Sequence, residues 1–422
     1  MSTDSRTAYD VEAVRAHFPA LDESAAHFDG PGGSQTPDVV ADAVASTLVS
    51  AIANRGTVTP AEQRAEDIVH AARAAMGDLL GLPPQGIVFG RSATELTFMM
   101  SRTLAGGTDD RAPWVEGDEI VVTRLDHDAN IRPWVIAAEA AGATVRWAEF
   151  DAATGELGPD AIAAVVGPRT RLVAATAGSN LIGTRPELRV IADIVHRAGA
   201  LFYVDGVHAT AHAAVDVTAC GADVWVCSPY KFLGPHLGVL GARPKLLETL
   251  HPAKLLPSTD VVPERFELGT LPYELLAGTT AAVDFLAGLS ALGDGGESSG
   301  GSRRDRLTRS FAALEQHEDD LLGWLEPRLR TLPGVTVWSN ARTRTPTLLF
   351  TSDTVAPQDI RAALGRQGIN APAGHFYAWE ASHHLGLGAE GGVRVGLAPY
   401  TSRGDVERLM DALTELLGGR QP

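Results

Sequence analysis

Leu201-Phe-Tyr-Val-Asp-Gly-Val-His208 and Asp223-Val-Trp-Val-Cys-Ser-Pro-Tyr-Lys-Phe-Leu-Gly-Pro235 decide how this chain is read. Each is a short apolar run that stops abruptly, Leu201–Val204 at Asp205 and Asp223–Cys227 at the turn Ser228 to Lys231. Runs that are apolar at consecutive positions fit strands buried on both faces, as in parallel sheets. Working outward, Ile87–Phe89, Glu119–Thr123, Thr144–Glu149 and Arg171–Thr176 repeat the pattern. Alanine-rich helical stretches near Ala93–Leu104, Ile131–Ala141 and Arg185–Ala198 separate these runs. The alternation predicts βα units and a doubly wound, mostly parallel α/β domain.

Further along, Ser290–Arg304 is rich in Gly and Ser and reads as a mobile surface loop before a long helix starting near Leu307. Beyond it, Val335–Trp338, Thr347–Thr351 and Val393–Leu397 read as strands, with helices around Pro357–Gln367 and Arg403–Leu417. The expected organisation is an N-terminal arm (1–25) packing with a small C-terminal α+β domain (286–422), and a large domain (26–285) between them. The 422 residues are 45% hydrophobic and 21% charged, which excludes a mainly disordered chain. With 35 basic and 52 acidic residues the net charge is −17, a field that disfavours nucleic acid and anionic membranes as partners. Cys220 and Cys227 form no CxxC pair or ligand cluster, so a disulfide scaffold and a metal site both lack their residues. A reducing cytoplasm is the expected location. No basic leader precedes an apolar stretch, and no uninterrupted apolar run reaches membrane-spanning length.

Ligands of open α/β sheets bind beyond the carboxyl ends of the strands. Asp205 and Lys231 leave the same sheet edge there. A lysine in a Pro/Gly-framed turn after a buried strand is partly desolvated, which lowers its pKa and suits it to a Schiff base with an aldehyde. Pyridoxal phosphate is the aldehyde cofactor that uses such a lysine, and its ring nitrogen needs a carboxylate such as Asp205. Taken singly, Lys231 also reads as a solvated turn lysine and Asp205 as a helix cap. Phe89 to Glu95 adds a strand, a small-residue turn and a helix start whose free N–H groups favour a phosphate, or simply a Ser/Thr cap. His127, in Asp126-His-Asp-Ala-Asn130, is placed to lie over a planar ring and assist proton transfer. Asn180 is placed to bond a ring hydroxyl or to serve its own turn.

Together these residues resemble the class V aminotransferase family of fold-type I pyridoxal-phosphate enzymes, in its cysteine-desulfurase-like branch. The resemblance spans nearly the whole chain. It rests on Arg91-Ser-Ala-Thr-Glu95, Asp126 to Asn130 with Arg132-Pro-Trp134, Gly178-Ser-Asn180 with Ile182-Gly-Thr184, Tyr203 to Gly206, Ser228 to Lys231, Phe266-Glu-Leu-Gly-Thr270 and Arg394-Val-Gly-Leu397. It implies a mostly parallel sheet of the seven-stranded type in the large domain. Lys231 is then the Schiff-base lysine, Asp205 the partner of the ring nitrogen and His127 the stacking residue. Asn180 and His208 approach the ring oxygen, while Ala93, Thr94 and Ser228 hold the phosphate, with Tyr230 beside the lysine. Thr270 reaches the phosphate of a neighbouring subunit, so the resemblance implies a homodimer. Arg394 is implied to clamp a substrate carboxylate.

The chain departs from this branch where desulfurases carry a Gly-His-His-Cys segment. The matching residues are Gly374-His375-Phe376-Tyr377-Ala378, without the sulfur-accepting cysteine. Pro372 and Tyr230 likewise replace a family arginine and histidine, so His375 and Tyr377 are expected to line a site shaped for another substrate. The expectation is an enzyme that removes the Cα proton of a small L-amino acid and then eliminates a β or γ group, without forming a persulfide. Transamination and epimerisation are the alternatives within the same chemistry. A nicotinamide dehydrogenase is excluded by the lack of a GxGxxG fingerprint after the first strand. A non-catalytic cofactor-binding regulator is disfavoured because no basic reader segment is visible.

Overall fold

The computed structural model of the chain describes residues 9–294 and 300–418. A two-residue strand, β1 (Ala26–His27), precedes the large sheet of β2 (Ile87–Gly90), β3 (Glu119–Thr123), β4 (Thr144–Ala148), β5 (Thr170–Thr176), β6 (Leu201–Asp205), β7 (Val224–Cys227) and β8 (Gly238–Ala242). Their order is β2-β8-β7-β6-β5-β3-β4. β8 runs antiparallel to both neighbours, and every other pairing is parallel. This is the mostly parallel seven-stranded sheet expected from sequence. β8 itself, Gly-Val-Leu-Gly-Ala, escapes the sequence reading because its two glycines dilute the strand signal. Those glycines are needed: a Cβ at Gly238 would collide with the Ser92 carbonyl, and one at Gly241 with the Leu80 and Leu82 side chains.

The central strands are buried, apart from half-buried Arg171 on β5, because helices cover both faces. Along β6, Phe202 and Val204 enter one core and Leu201 and Tyr203 the other, the period-two alternation of a strand. Helices Ala93–Ala105 and Arg132–Ala141 close the second core. Helices Pro60–Leu80, Leu188–Arg197 and Tyr273–Gly288 close the first. The segment Tyr273–Gly293 is long and apolar enough by composition to cross a membrane, and half of its most apolar stretch is buried inside the fold. Its first part packs against Asp38–Leu48, Pro60–Leu80 and Arg303–Leu329, which accounts for its apolar composition.

The C-terminal unit holds β9 (Val335–Val337), β10 (Thr347–Ser352), β11 (Ile369–Asn370), β12 (Ala373–Gly374) and β13 (Gly392–Gly396). An antiparallel sheet runs β12-β13-β10-β9, and β1 pairs in parallel with β11. Ala26 and Phe28 pack into the core of this unit, and Asp29 bridges Gly396. Residues 26–29 therefore join the C-terminal unit, whereas the sequence boundary assigns them to the large domain. A pairing this distant leaves no local signal. Ahead of it, helix Val11–Arg15 is tied to the C-terminal segment by Arg15, which donates to Tyr400 O at 2.7 Å and meets Asp405 at 2.8 Å. Within the expected loop Ser290–Arg304, the 3-10 turn Leu289–Asp294 and a helix from Arg303, capped by Ser302, are formed. Residues 295–299 of that loop lie outside the described residues.

Candidate active site

A cavity of about 580 Å³ opens at the carboxyl edge of β2, β3, β5, β6 and β7, where parallel strands leave their last residues facing one crevice. Ala93, Thr94, His127, Asn180, Asp205, His208, Ser228, Tyr230, Lys231, Tyr377 and Arg394 all line it.

Asp205 is the last residue of β6, and Val207 N donates to its Oδ1 at 2.8 Å. Burial pushes its carboxyl up to about 6, against the opposing pull of that bond and of Lys231. Lys231 ends the tight turn Pro229–Lys231 directly after β7. Its Nζ donates to the Pro31 carbonyl and lies 4.8 Å from the centre of the Tyr230 ring. Burial first, then the charge of Arg394, brings the amine down to about 7. A lysine and a carboxylate both near neutrality in one cavity mark a functional site.

His127 follows β3. Its Nδ1 accepts from Ala129 N at 3.0 Å, which places the ring hydrogen on Nε2. Burial, reinforced by Lys231 and Arg394, holds the imidazole down at about 4, so the ring is neutral in ordinary buffers. Beneath it Asp126 accepts from Thr123 Oγ1 and from Asn130 Nδ2 at 2.6 Å, and Trp134 Nε1 donates to Asn130 Oδ1 at 3.1 Å. Burial pushes Asp126 up to about 8, with the charge of Asp205 adding to the rise. At the other end, Ser92 caps helix Ala93–Ala105 by accepting from Glu95 N at 3.1 Å, and the first-turn residues Ala93 and Thr94 meet the cavity. Free N–H groups of a first helical turn are an anion site.

Arg394 projects from β13 and is fully buried. Nη2 meets Asp29 Oδ1 at 2.6 Å, Nη1 donates to Asn180 O at 2.9 Å, and the Phe376 ring covers the guanidinium at 3.7 Å. Asp29, Pro31, Thr97, Phe98, Arg132 and Phe376 also line the cavity and were not among the sequence candidates. Asp29 arrives from a distant segment, whereas Arg132 and Phe376 sat inside quoted stretches. Two candidates are not brought to the wall. His375 turns away because its Nδ1 accepts from Tyr377 N at 3.2 Å and its ring packs on Trp379. Thr270 is exposed on a loop outside the cavity of its own chain. Cys227 is buried in β7, where burial pushes its thiol up, and Cys220 Sγ is turned to Val217 O at 3.3 Å; neither lines the cavity.

Three buried polar atoms of the cavity residues lack a hydrogen-bond partner among the described residues: Asn180 Oδ1, His208 Nδ1 and Arg394 Nε. Buried polar groups are nearly always satisfied, so these point to a polar ligand. The set fits pyridoxal phosphate, with polar atoms for a ring hydroxyl, a carboxylate for a ring nitrogen, an amine for an aldehyde and a helix start for a phosphate.

The family model for Aminotransferase class-V matches residues 26–409. An uncharacterized protein of Mycobacterium tuberculosis is 33% identical, covering 97% of this chain and 100% of its own length. A probable cysteine desulfurase of Mycolicibacterium paratuberculosis is 31% identical over 99% of this chain, which spans 59% of that longer protein. The crystal structure of the cysteine desulfurase CsdA from Escherichia coli superposes with a TM-score of 0.84 at 26% identity, covering 97% of this chain and 99% of that one. Sheet order, cavity chemistry and a match of this extent agree, and the chain belongs to the class V aminotransferase family.

Proposed function

We propose that this chain is a pyridoxal-phosphate enzyme that removes the Cα proton of a small L-amino acid and then expels a β or γ substituent. One observation carries the reading: Lys231 and Asp205 reach the same cavity, Arg394 closes its far side, and no cysteine stands on its wall. When bound, the cofactor supplies an aldehyde for amine exchange and a cationic ring that withdraws electrons from Cα.

The chain's own residues do the rest. Lys231 anchors the aldehyde, and its Nζ, near neutrality through burial, takes and returns the Cα proton. Asp205 holds the proton of the ring nitrogen, while neutral His127 covers the ring. Asn180 and His208 face the ring hydroxyl, Ala93, Thr94 and Ser228 hold the phosphate, and Thr270 comes from a second copy in a homodimer. Arg394 orients the α-carboxylate with its unused Nε–H. Tyr377, with Tyr230 across the cavity, bounds the side-chain end.

Transfer of sulfur to the protein requires an accessible thiolate, and buried Cys227 and half-buried Cys220 are poor nucleophiles. Expulsion of the leaving group with its bonding electrons needs no protein acceptor. The test is product analysis with L-amino acids that carry different β and γ leaving groups. Elimination gives equal amounts of 2-oxo acid, ammonia and leaving group. Accumulation of the amine form of the cofactor would replace elimination by transamination, and alanine with protein-bound sulfur would restore desulfuration.

A further inference from the structure

His208 lines the cavity, yet its ring is held from outside it. Its Nε2 lies 2.8 Å from Thr345 Oγ1 and 3.0 Å from Thr347 Oγ1, hydroxyls just before and at the start of β10 in the C-terminal unit. Its Nδ1 is buried without a partner. Edge-on to His208, at 4.9 Å between ring centres, stands His212. His212 Nδ1 in turn meets both carboxylate oxygens of Glu318, at 3.0 and 3.1 Å. His208, His212 and Glu318 are 3%, 4% and 2% exposed, so water does not screen the row. Glu318 belongs to helix Arg303–Leu329, which runs from the large core into the C-terminal unit.

We propose that Thr347 is a positioning residue that keeps the ring hydrogen of His208 on Nδ1, directed at an acceptor in the cavity. The Thr347 hydroxyl is fully buried and has two neighbours among the described residues, His208 Nε2 at 3.0 Å and Thr345 Oγ1 at 3.3 Å. Donation to the nearer one puts the lone pair on Nε2 and leaves the hydrogen on Nδ1. Burial holds His208 well below the ordinary imidazole range, and His212 beside it, with Lys231 and Arg394 from β7's turn and β13, opposes a second proton too. A ring acceptor in the cavity is thereby met by a donor whose orientation is set by the C-terminal unit. The inference rests on the cofactor reading only for the identity of that acceptor.

The test is nitrogen-15 NMR of the whole, cofactor-free protein labelled at histidine, with His208→Gln to assign the signals. Between about pH 6 and 8, where free imidazole titrates, wild-type His208 stays singly protonated with its hydrogen on Nδ1. Thr347→Val shifts the His208 hydrogen towards Nε2. A hydrogen on Nε2 of wild-type His208 overturns the proposal whether or not the variant folds. So does a His208 hydrogen that stays on Nδ1 in folded Thr347→Val. Cofactor uptake is read separately by absorbance: wild-type protein that takes up none while His208 behaves as stated sinks the proposed function and supports this assignment.

Discussion

Lys231 is one of three lysines in the chain, and burial brings its amine near neutrality. Because an uncharged amine attacks an aldehyde, cofactor-free protein should take up pyridoxal phosphate faster as pH rises through about 7 and level off above it. Stopped-flow absorbance checks this, and a midpoint near the ordinary lysine value would show that Nζ is solvated. Lys231→Ala should bind without covalent attachment and lose turnover. Asp205 titrates the other way. Its folded value of about 6 lies above the ~3.9 of an unfolded chain. Ionising it therefore destabilises the empty protein as pH rises from about 4 to about 6, and the loss persists above that range. Asp205→Asn should accordingly raise the melting temperature of cofactor-free protein at pH 8 and leave it nearly unchanged at pH 4. With cofactor bound, the same variant should lower turnover by more than about a hundredfold, the scale of losing a positioned charge. Arg394→Ala should weaken binding of amino acids far more than of cofactor, measured by titrating each into the protein. Equal losses would mean that Arg394 serves mainly to hold Asp29.

At the level of elements, strand β6 and its turn form an interlocked unit. A Cβ on Gly206 would lie inside the Trp225 indole, whose Nε1 donates to Thr210 Oγ1 at 3.1 Å, and Thr210 Oγ1 donates to Gly206 O at 2.6 Å. Gly206→Ala should cost about 1–3 kcal/mol, the range for overpacking a dense core, and weaken cofactor binding by shifting Asp205. Chemical denaturation and a cofactor titration read the two effects. The segment after β12 is shaped differently: Phe376 and Tyr377 are consecutive non-glycine residues in the left-handed region, with φ of 52° and 59°. Their carbonyls are engaged by Asn180 Nδ2 at 2.9 Å and Asp128 N at 2.8 Å. That pinning brings Phe376 over Arg394 and turns His375 outward, which explains why spacing within Gly374 to Ala378 misplaced His375. Strand ends such as Asp205 and Lys231 were legible because a buried strand ending in a polar turn is a local pattern. The twist of a loop pinned from elsewhere is not.

On the scale of the whole molecule, the cavity belongs to two units at once. The large sheet supplies Lys231, Asp205 and His127, and the C-terminal unit supplies Arg394, Phe376 and, through Asp29, the N-terminal segment. Thr270 stays outside the cavity of its own chain, so the homodimer reading has a sharp consequence. Lys231→Ala and Thr270→Val proteins, each impaired alone, should regain activity when unfolded together and refolded as mixed dimers. One of the two sites then contains Lys231 from one copy and Thr270 from the other. Turnover of the mixture no greater than the sum of its parts would place Thr270 outside the partner's site.

By itself the sequence determined the mostly parallel large sheet, the edge where Asp205 and Lys231 meet, and the absence of a cysteine from Gly374 to Ala378. These are written in short runs, where burial selects consecutive apolar residues and a turn follows. Tertiary structure alone decided that residues 26–29 pair with the C-terminal unit and that Asp29 holds Arg394. It also decided that Thr345 and Thr347 reach His208 and that Glu318 reaches its neighbour His212. Such contacts join segments more than about a hundred residues apart, and their energy lies in geometry and desolvation that no local pattern encodes.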